Sequence, residues 1–99
     1  MLKKLFQILI LCHLLFLELG AQCHYKLYMY DSYGDGWNGA YLEVTMNGSF
    51  VGNYECQGSF TLDSVYSTTG ATMDFIFHSG TWDSEITFTI IDPLNDTLY

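Results

Sequence analysis

Residues 31–39 read DSYGDGWNG, a run that contains three glycines, two aspartates and one asparagine. Glycine readily adopts backbone conformations that other residues resist. Aspartate and asparagine turn the chain, and their oxygens can also bind a hard cation. Apolar and polar residues alternate on both sides of this run. We therefore expect a glycine-rich loop between two β-strands, with the rest of the chain serving as its scaffold.

The alternation continues along the chain in short runs that turn residues separate. A period of two residues is typical of β-strands. Asn47-Gly48 predicts a tight hairpin because both residues tolerate a positive φ. The sequence therefore predicts six strands, or seven if residues 97–99 begin another. The predicted strands are 23–30, 40–46, 49–54, 58–63, 71–78 and 85–91.

Strands of this length and spacing are typical of a small antiparallel β-sandwich or a jelly-roll-like fold, in which each sheet has one buried face. We expect one all-β module over residues 23–99. The chain stops as the last strand begins, and we favour a C-terminally incomplete module over the alternatives, an edge that pairs with another chain or a fold that is complete without this strand. The residues predicted to face inward are Cys23, Tyr25, Leu27, Met29, Leu42, Val44, Met46, Phe60, Leu62, Met73, Phe75, Phe77, Ile86, Phe88 and Ile90.

The first 22 residues have the composition of a secretory signal peptide. A basic start at Lys3-Lys4 precedes the almost wholly apolar residues 5–17, and small residues follow. A membrane-spanning helix is the alternative, but it needs about 20 apolar residues, and this run ends at Glu18. We therefore expect residues 1–22 to be cleaved and the remainder to be secreted or held at the cell surface, without membrane insertion after cleavage.

The predicted mature chain is strongly acidic. Residues 23–99 contain one basic residue, Lys26, and ten acidic residues, which gives a net charge of −9. We expect neither nucleic acid nor an anionic membrane as a partner, because both are bound through basic surfaces. Such a charge opposes the compact state by self-repulsion, and a bound divalent cation would relieve part of it. Solubility alone is the alternative explanation for the charge.

Two cysteines remain once the signal peptide leaves with Cys12. Cys23 and Cys56 are an even pair in an oxidising compartment, so we predict a disulfide between them. It would tie the first strand to the middle of the domain. The alternative is two separate buried thiols. A metal site formed by these cysteines is disfavoured because no CxxC spacing occurs.

The 31–39 loop resembles an EF-hand calcium loop only in part. Asp31, Asp35 and Gly36 match the first, fifth and sixth positions of that motif. Tyr33 fails the third position, Leu42 occupies the twelfth in place of glutamate, and no helices are predicted on either side. The loop is therefore not an EF-hand.

Calcium remains the cation that the loop suits best. It takes six to eight oxygens in flexible geometry, and Asp31, Asp35 and Asn38 can supply side-chain oxygens alongside loop carbonyls. A second loop ends near Asp83 and Glu85, where a sheet edge could return both carboxylates to the first loop. Zinc would need nitrogen or sulfur ligands, and magnesium stricter geometry. The alternative is that Asp, Asn and Gly only form turns.

Several motifs recur together in this chain. Residues 31–40 read DSYGDGWNGA, Asn47-Gly48 follows one strand later, residues 79–85 read S-G-x-W-x-x-E, and Asp92 ends the next hydrophobic strand. In this combination the chain resembles a poorly characterised β-sandwich module of secreted and cell-surface proteins from Bacteroidetes and some aquatic protists.

The resemblance extends over nearly all of residues 23–99. It implies an extracellular module, often at the start of long surface proteins or in repeats, and it implies no settled activity. It also supports Glu85 acting with the first loop in binding calcium. The family usually continues for one more strand than this chain, which favours a fragment of a longer protein.

Aromatic residues accompany both loops. Trp37 and Tyr33 lie in the first, and Trp82 lies in the second. Aromatic faces stack on sugar rings and are common at protein interfaces, so all three are candidates for contact with an extracellular protein or glycan. The alternative is that both tryptophans cover the open end of the core.

The sequence carries no signature of catalysis. His24 and His78 lie far apart on predicted outward faces, and no nucleophile motif is present. We expect not an enzyme but a secreted, calcium-stabilised β-sandwich for binding or adhesion. The alternatives are a self-assembling subunit of an extracellular fibre and a carbohydrate-binding module.

Overall fold

The computed structural model describes residues 23–99, and the predicted signal peptide, residues 1–22, lies outside the described residues. No helix within this part is long and apolar enough to cross a membrane. The predicted all-β fold class is confirmed. The elements are β1 Cys23–Asp31, β2 Tyr41–Met46, β3 Ser49–Tyr54, β4 Phe60–Ser67, β5 Met73–His78, a 3₁₀ helix Asp83–Glu85 and β6 Ile86–Ile91.

The strands form two three-stranded antiparallel sheets. In the first sheet the order is β4-β1-β6, and in the second it is β3-β2-β5. β1 and β2 are thus the central strands, and residues 32–40 connect them across the sandwich. β2 and β3 form the predicted hairpin, in which Asn47 and Gly48 have φ angles of 52° and 81°.

The register of β1 determines which loops meet at each end of the first sheet. Asp31 lies opposite Ile86 and Tyr30 lies opposite Phe60, so the 32–40 loop, the 3₁₀ helix and the segment before β4 meet at one end. At the other end, Cys23 lies opposite Ser67. The two loops singled out in the sequence therefore lie at the same end of the molecule.

The core lies between the two sheets, and the central strands supply most of it. Leu27, Met29 and Val44 have no exposed surface, and full burial of such a side chain contributes about 1.5–3 kcal/mol. The predicted inward face of β1 is confirmed, as are Leu42 and Val44 on β2, whereas Met46, also predicted inward, is only half-buried. The buried core is formed by Tyr25, Leu27, Met29, Trp37, Ala40, Leu42, Val44, Cys56, Val65 and Ile90.

The prediction for β4 is wrong in phase. Phe60 and Leu62 were expected to face inward, yet they are 50% and 48% exposed, whereas Val65 is buried. β4 is paired with β1 so that Val65 lies opposite the buried Tyr25 and Phe60 lies opposite the exposed Tyr30. Residues directly opposite each other share a face of the sheet. Pairing with β1 has therefore overridden the local apolar pattern of β4.

This phase leaves an apolar surface on the outside of the first sheet, which we call the outer aromatic face. The rings of Tyr30 and Phe60 lie 5.1 Å apart, those of Tyr28 and Phe60 lie 6.4 Å apart, and all three contribute to it. Leu62 and Tyr66 extend the same face along β4, and Tyr66 is 46% exposed.

The predicted disulfide between Cys23 and Cys56 is wrong, because Cys56 is a free, buried thiol. Its Sγ lies 3.4 Å from the carbonyl oxygens of Met29 and Gly58. Met29 is six residues beyond Cys23 in β1, and a strand rises about 3.3 Å per residue. The separation of roughly 20 Å far exceeds the ~7 Å limit between the Cα atoms of a disulfide.

The end of the chain turns back along β6. Asp92 Oδ1 accepts hydrogen bonds from the N–H groups of Leu94 and Asp96, both at 2.9 Å. Residues 97–99 then run beside β6, where Leu98 N–H donates to Ile90 O at 2.8 Å. Residue 97 forms an isolated bridge with Ile91. The predicted seventh strand is thus limited to one bridge and its flanking bonds.

We predict that two leucines of the first sheet differ sharply in their contribution to stability. Leu27→Ala should cost about 2–5 kcal/mol of unfolding free energy because it leaves a cavity in the core. Leu62→Ala should cost less than about 1 kcal/mol because Leu62 is half exposed. Urea denaturation measures both. Equal losses would contradict the phase of β4.

We also predict that Cys56 is a thiol in the native protein. Burial raises its pKa, and the Asp31 charge adds to the rise, so the thiolate that reacts with alkylating reagents is scarce. Iodoacetamide without reductant should therefore modify Cys56 in guanidinium but not in native buffer, as read by peptide mass spectrometry. Recovery of a peptide linked through Cys23 and Cys56 would overturn this assignment.

Candidate metal centre

The register of the first sheet brings three acidic residues together. Asp31 ends β1, Asp35 lies four residues later in the loop, and Glu85 ends the 3₁₀ helix. Because Asp31 pairs with Ile86, Glu85 lies beside the start of the loop, and Ser32 N–H donates to its backbone carbonyl at 3.0 Å. The structure therefore places Glu85 against the first loop, as the sequence predicted.

The three carboxylates are close enough to share one ion. One carboxylate oxygen from each of Asp31, Asp35 and Glu85 lies within 4.8 Å of the other two. Asp31 is buried, Glu85 is half-buried and Asp35 is exposed. The cluster is therefore buried on the side of Asp31 and open to solvent on the side of Asp35.

Two oxygens of this cluster are buried without a hydrogen-bond partner. Asp31 Oδ2 accepts the backbone N–H groups of Gly34 and Asp35, at 3.0 Å and 2.8 Å, and so holds the loop in its turn. Asp31 Oδ1 and Glu85 Oε2 have no partner among residues 23–99. Buried polar atoms are nearly always paired. A cation bound between these carboxylates would give both oxygens a partner.

The electrostatics of the cluster also favour a cation. Burial raises the pKa of Glu85, and the charges of Asp31 and Asp35 raise it further. Burial acts in the same direction on the pKa of Asp31, but hydrogen bonds to Asp35 and to the loop backbone outweigh it, so that pKa is lowered. Asp31 is therefore ionised at neutral pH, and its charge opposes ionisation of Glu85. A bound divalent cation would remove this repulsion.

Of the other two predicted ligands, Asp83 lies outside the group of three carboxylates, and Asn38 lies exposed in the first loop, three residues after Asp35. The amide Nδ2 of Asn38 donates to Gly36 O at 3.1 Å, and Asn38 has a φ of 52°. Asp83 Oδ1 accepts the N–H of Gly80 at 2.8 Å. Both side chains thus shape the loop to which they belong, which is the usual role of such residues in turns.

The two loops pack backbone against backbone. Thr81 N–H donates to Asn38 O at 3.3 Å. A Cβ atom at Gly80 would lie only 2.8 Å from Asn38 O, which no ordinary packing allows. Gly80 is therefore needed for the close approach that brings the second loop, and with it Glu85, to the first.

Trp37 is part of the core and not of a ligand surface. It is 1% exposed, and its indole N–H donates to Tyr30 O at 3.0 Å. Its ring packs against Phe77 and Phe88, with ring centroids 6.1 Å and 5.9 Å away. Trp37 was predicted either to contact a ligand or to cover the open end of the core, and the structure fits the second. Its burial beneath the loop fixes the loop to the sandwich.

Tyr33 and Trp82 remain at the surface, one on each loop. Tyr33 is 77% exposed and Trp82 is 54% exposed. Together with Asp35 and Glu85 they line an open cleft of about 390 Å³. The accessible side of the carboxylate cluster is therefore flanked by two aromatic side chains.

The sequence did not indicate that one acidic residue, Asp92, is buried. Asp92 is 1% exposed, and its Oδ2 has no hydrogen-bond partner among the described residues. Burial and the Asp92 charge raise the pKa of Tyr25. The only signal in the sequence was the Asp92-Pro93 turn, which does not indicate burial. Asp92 joins no group of three metal-ligating side chains within the described residues.

The two histidines of residues 23–99 lie on different sheets. His24 packs edge-on against Tyr66 at 5.6 Å. His78 stacks on Tyr41 at 4.5 Å, and its Nε2 lies 2.7 Å from Glu43 Oε1. Neither is part of the carboxylate cluster.

Comparison with known proteins gives no match for this chain, whether with family models, with curated proteins or with solved structures. Its function is therefore inferred from its own residues, and the cluster formed by Asp31, Asp35 and Glu85 is the most distinctive group among them.

Proposed function

We propose that this chain is a secreted β-sandwich module that is stabilised by calcium at Asp31, Asp35 and Glu85 and that serves in binding or adhesion outside the cell. The observation that carries the proposal is the buried Oδ1 of Asp31. It has no hydrogen-bond partner and belongs to a group of three carboxylates drawn from two loops.

The donor set favours calcium over other common cations. Every side-chain ligand in the cluster is a carboxylate oxygen, whereas zinc prefers nitrogen and sulfur. The ligands come from a glycine-rich loop and a short 3₁₀ helix, and calcium tolerates such irregular geometry better than magnesium.

Secretion and an extracellular partner rest on the sequence. Residues 1–22 have the order of a secretory signal. The resemblance to secreted surface modules points the same way, as does the acidic charge, which disfavours nucleic acid. The partner we propose is an extracellular protein or glycan.

A second function, subunit of an extracellular fibre, has its own supporting observation. The outer aromatic face exposes Phe60, Leu62 and Tyr66 on one side of β4, an edge strand. Exposed apolar surface on a sheet edge favours self-association. A purified protein that stays monomeric at high concentration in size-exclusion chromatography argues against this function.

We predict that calcium raises the melting temperature of the secreted protein. A ligand at 100 times its Kd stabilises the native state by about 2.7 kcal/mol, which corresponds to roughly 10–20 °C for a domain of this size. Thermal melts in calcium and in EDTA measure the shift. If the two midpoints agree within error, the calcium site does not exist.

We further predict that Glu85→Gln changes stability in opposite directions in the two conditions. In EDTA the variant should melt at or above the temperature of the unsubstituted protein, because the repulsion from Asp31 and Asp35 is gone. In calcium it should melt at a lower temperature than the unsubstituted protein, because a ligand is lost. Differential scanning calorimetry in both buffers measures the direction of the change in melting temperature.

The matched control is Asp83→Asn, which removes a charge two residues away and keeps an oxygen for the N–H of Gly80. This variant should retain the full calcium shift. A calcium shift that disappears in Asp83→Asn and persists in Glu85→Gln would reverse our assignment of the ligands.

A further inference from the structure

The candidate calcium site has an open side with a distinct chemistry. Asp31 can offer a cation one oxygen only, because its Oδ2 already accepts two backbone N–H groups. If Asp35 and Glu85 each bind through both oxygens, the carboxylates supply at most five ligands. Calcium takes six to eight. Loop carbonyls can add ligands from the protein side, and the positions that face the cleft are left for water or for hydroxyls of a ligand.

The walls of the cleft are suited to a ring with an apolar face. Tyr33 and Trp82 are the most exposed aromatic residues around the site, at 77% and 54%. Each offers a flat ring beside the carboxylates in a cleft of about 390 Å³. Ligand sites typically combine such aromatic walls with a few polar groups that fix orientation.

The charge of the site selects among ligands. Three carboxylates around one divalent cation leave a local charge of about −1, and residues 23–99 carry −9 in all. Carboxylates, phosphates and sulfated or uronic sugars are repelled. A neutral sugar is not repelled, and its hydroxyls can coordinate the cation and donate hydrogen bonds to Asp35 and Glu85.

Building on the calcium site proposed above, we propose that the cleft between Tyr33 and Trp82 binds neutral sugars, with two adjacent hydroxyls on the calcium and the C–H face of the ring against an aromatic side chain. The geometry assigns Trp82 to the packing contact and Asp35 and Glu85 to the polar contacts.

The test follows the fluorescence of the secreted protein during titration with neutral polysaccharides, namely mannan, galactan and dextran, in calcium and in EDTA. The sequence contains two tryptophans, and Trp37 is buried, so a change in emission on binding reports Trp82. We expect a saturable change with at least one of these polysaccharides in calcium and none in EDTA.

Variants separate the sugar contact from the calcium site. Trp82→Ala should keep the calcium-dependent rise in melting temperature and weaken polysaccharide binding at least tenfold, as measured by calorimetry. Trp82→Phe retains a ring and should retain most of the binding. Tyr66→Ala removes an aromatic residue of similar exposure on the outer aromatic face and should bind like the unsubstituted protein.

The outcomes of these experiments test the sugar site separately from the calcium site on which it depends. A calcium-dependent melting shift without binding of any of the three polysaccharides overturns the sugar site and leaves the calcium site standing. The absence of a melting shift overturns both. Binding that persists in EDTA, or that prefers the anionic polysaccharide polygalacturonate, also overturns the sugar site.

Discussion

The rest of the structure depends on the antiparallel register of β1. This strand pairs with β4 on one side and β6 on the other, so its alignment determines both the inner face of the first sheet and the loops at its ends. The pairing of Asp31 with Ile86 sets Glu85 beside the glycine-rich loop. A slip of one residue exchanges the two faces of a strand. It would turn Lys26 into the core and disrupt the alignment of the three carboxylates.

The sequence predicted those features of the fold that are encoded locally. Alternation along β1 and β2 identified their buried faces, and Asn47-Gly48 identified the hairpin. The phase of β4 and the state of Cys56 could not be found in this way, because both depend on partners distant in sequence. Phe60 and Leu62 belong to the more apolar face of their strand, yet Tyr25 opposite Val65 sets which face is buried. The cysteine count carries no information on the roughly 20 Å of β1 that separates Cys23 from Met29, the residue that Cys56 contacts.

In the candidate site, too, the sequence predicted what is encoded locally better than what depends on distant residues. Asp31 and Asp35 are near neighbours in the chain, and the glycines between them allow the turn that brings them together. Glu85 was predicted from its position before the last strand, and the sheet register places it there. Asp83 has the same oxygen chemistry, but its Oδ1 accepts the N–H of Gly80 in its own loop, and it lies outside the group of three carboxylates. Asn38 uses its amide nitrogen to donate to Gly36 O. Composition gives the residues that are able to bind a cation, and long-range pairing decides which of them meet.

The direction of β1 has a consequence for how the module can be displayed. Cys23 and the turn after β6 lie at one end of the first sheet, and the carboxylates with Tyr33 and Trp82 lie at the other. Any tether joined to the chain near Cys23 is therefore about one strand length, roughly 25–30 Å, from the cleft. Neighbouring domains attached there would leave the cleft sterically free. A module tethered through this end would carry its cleft at the end farthest from the tether.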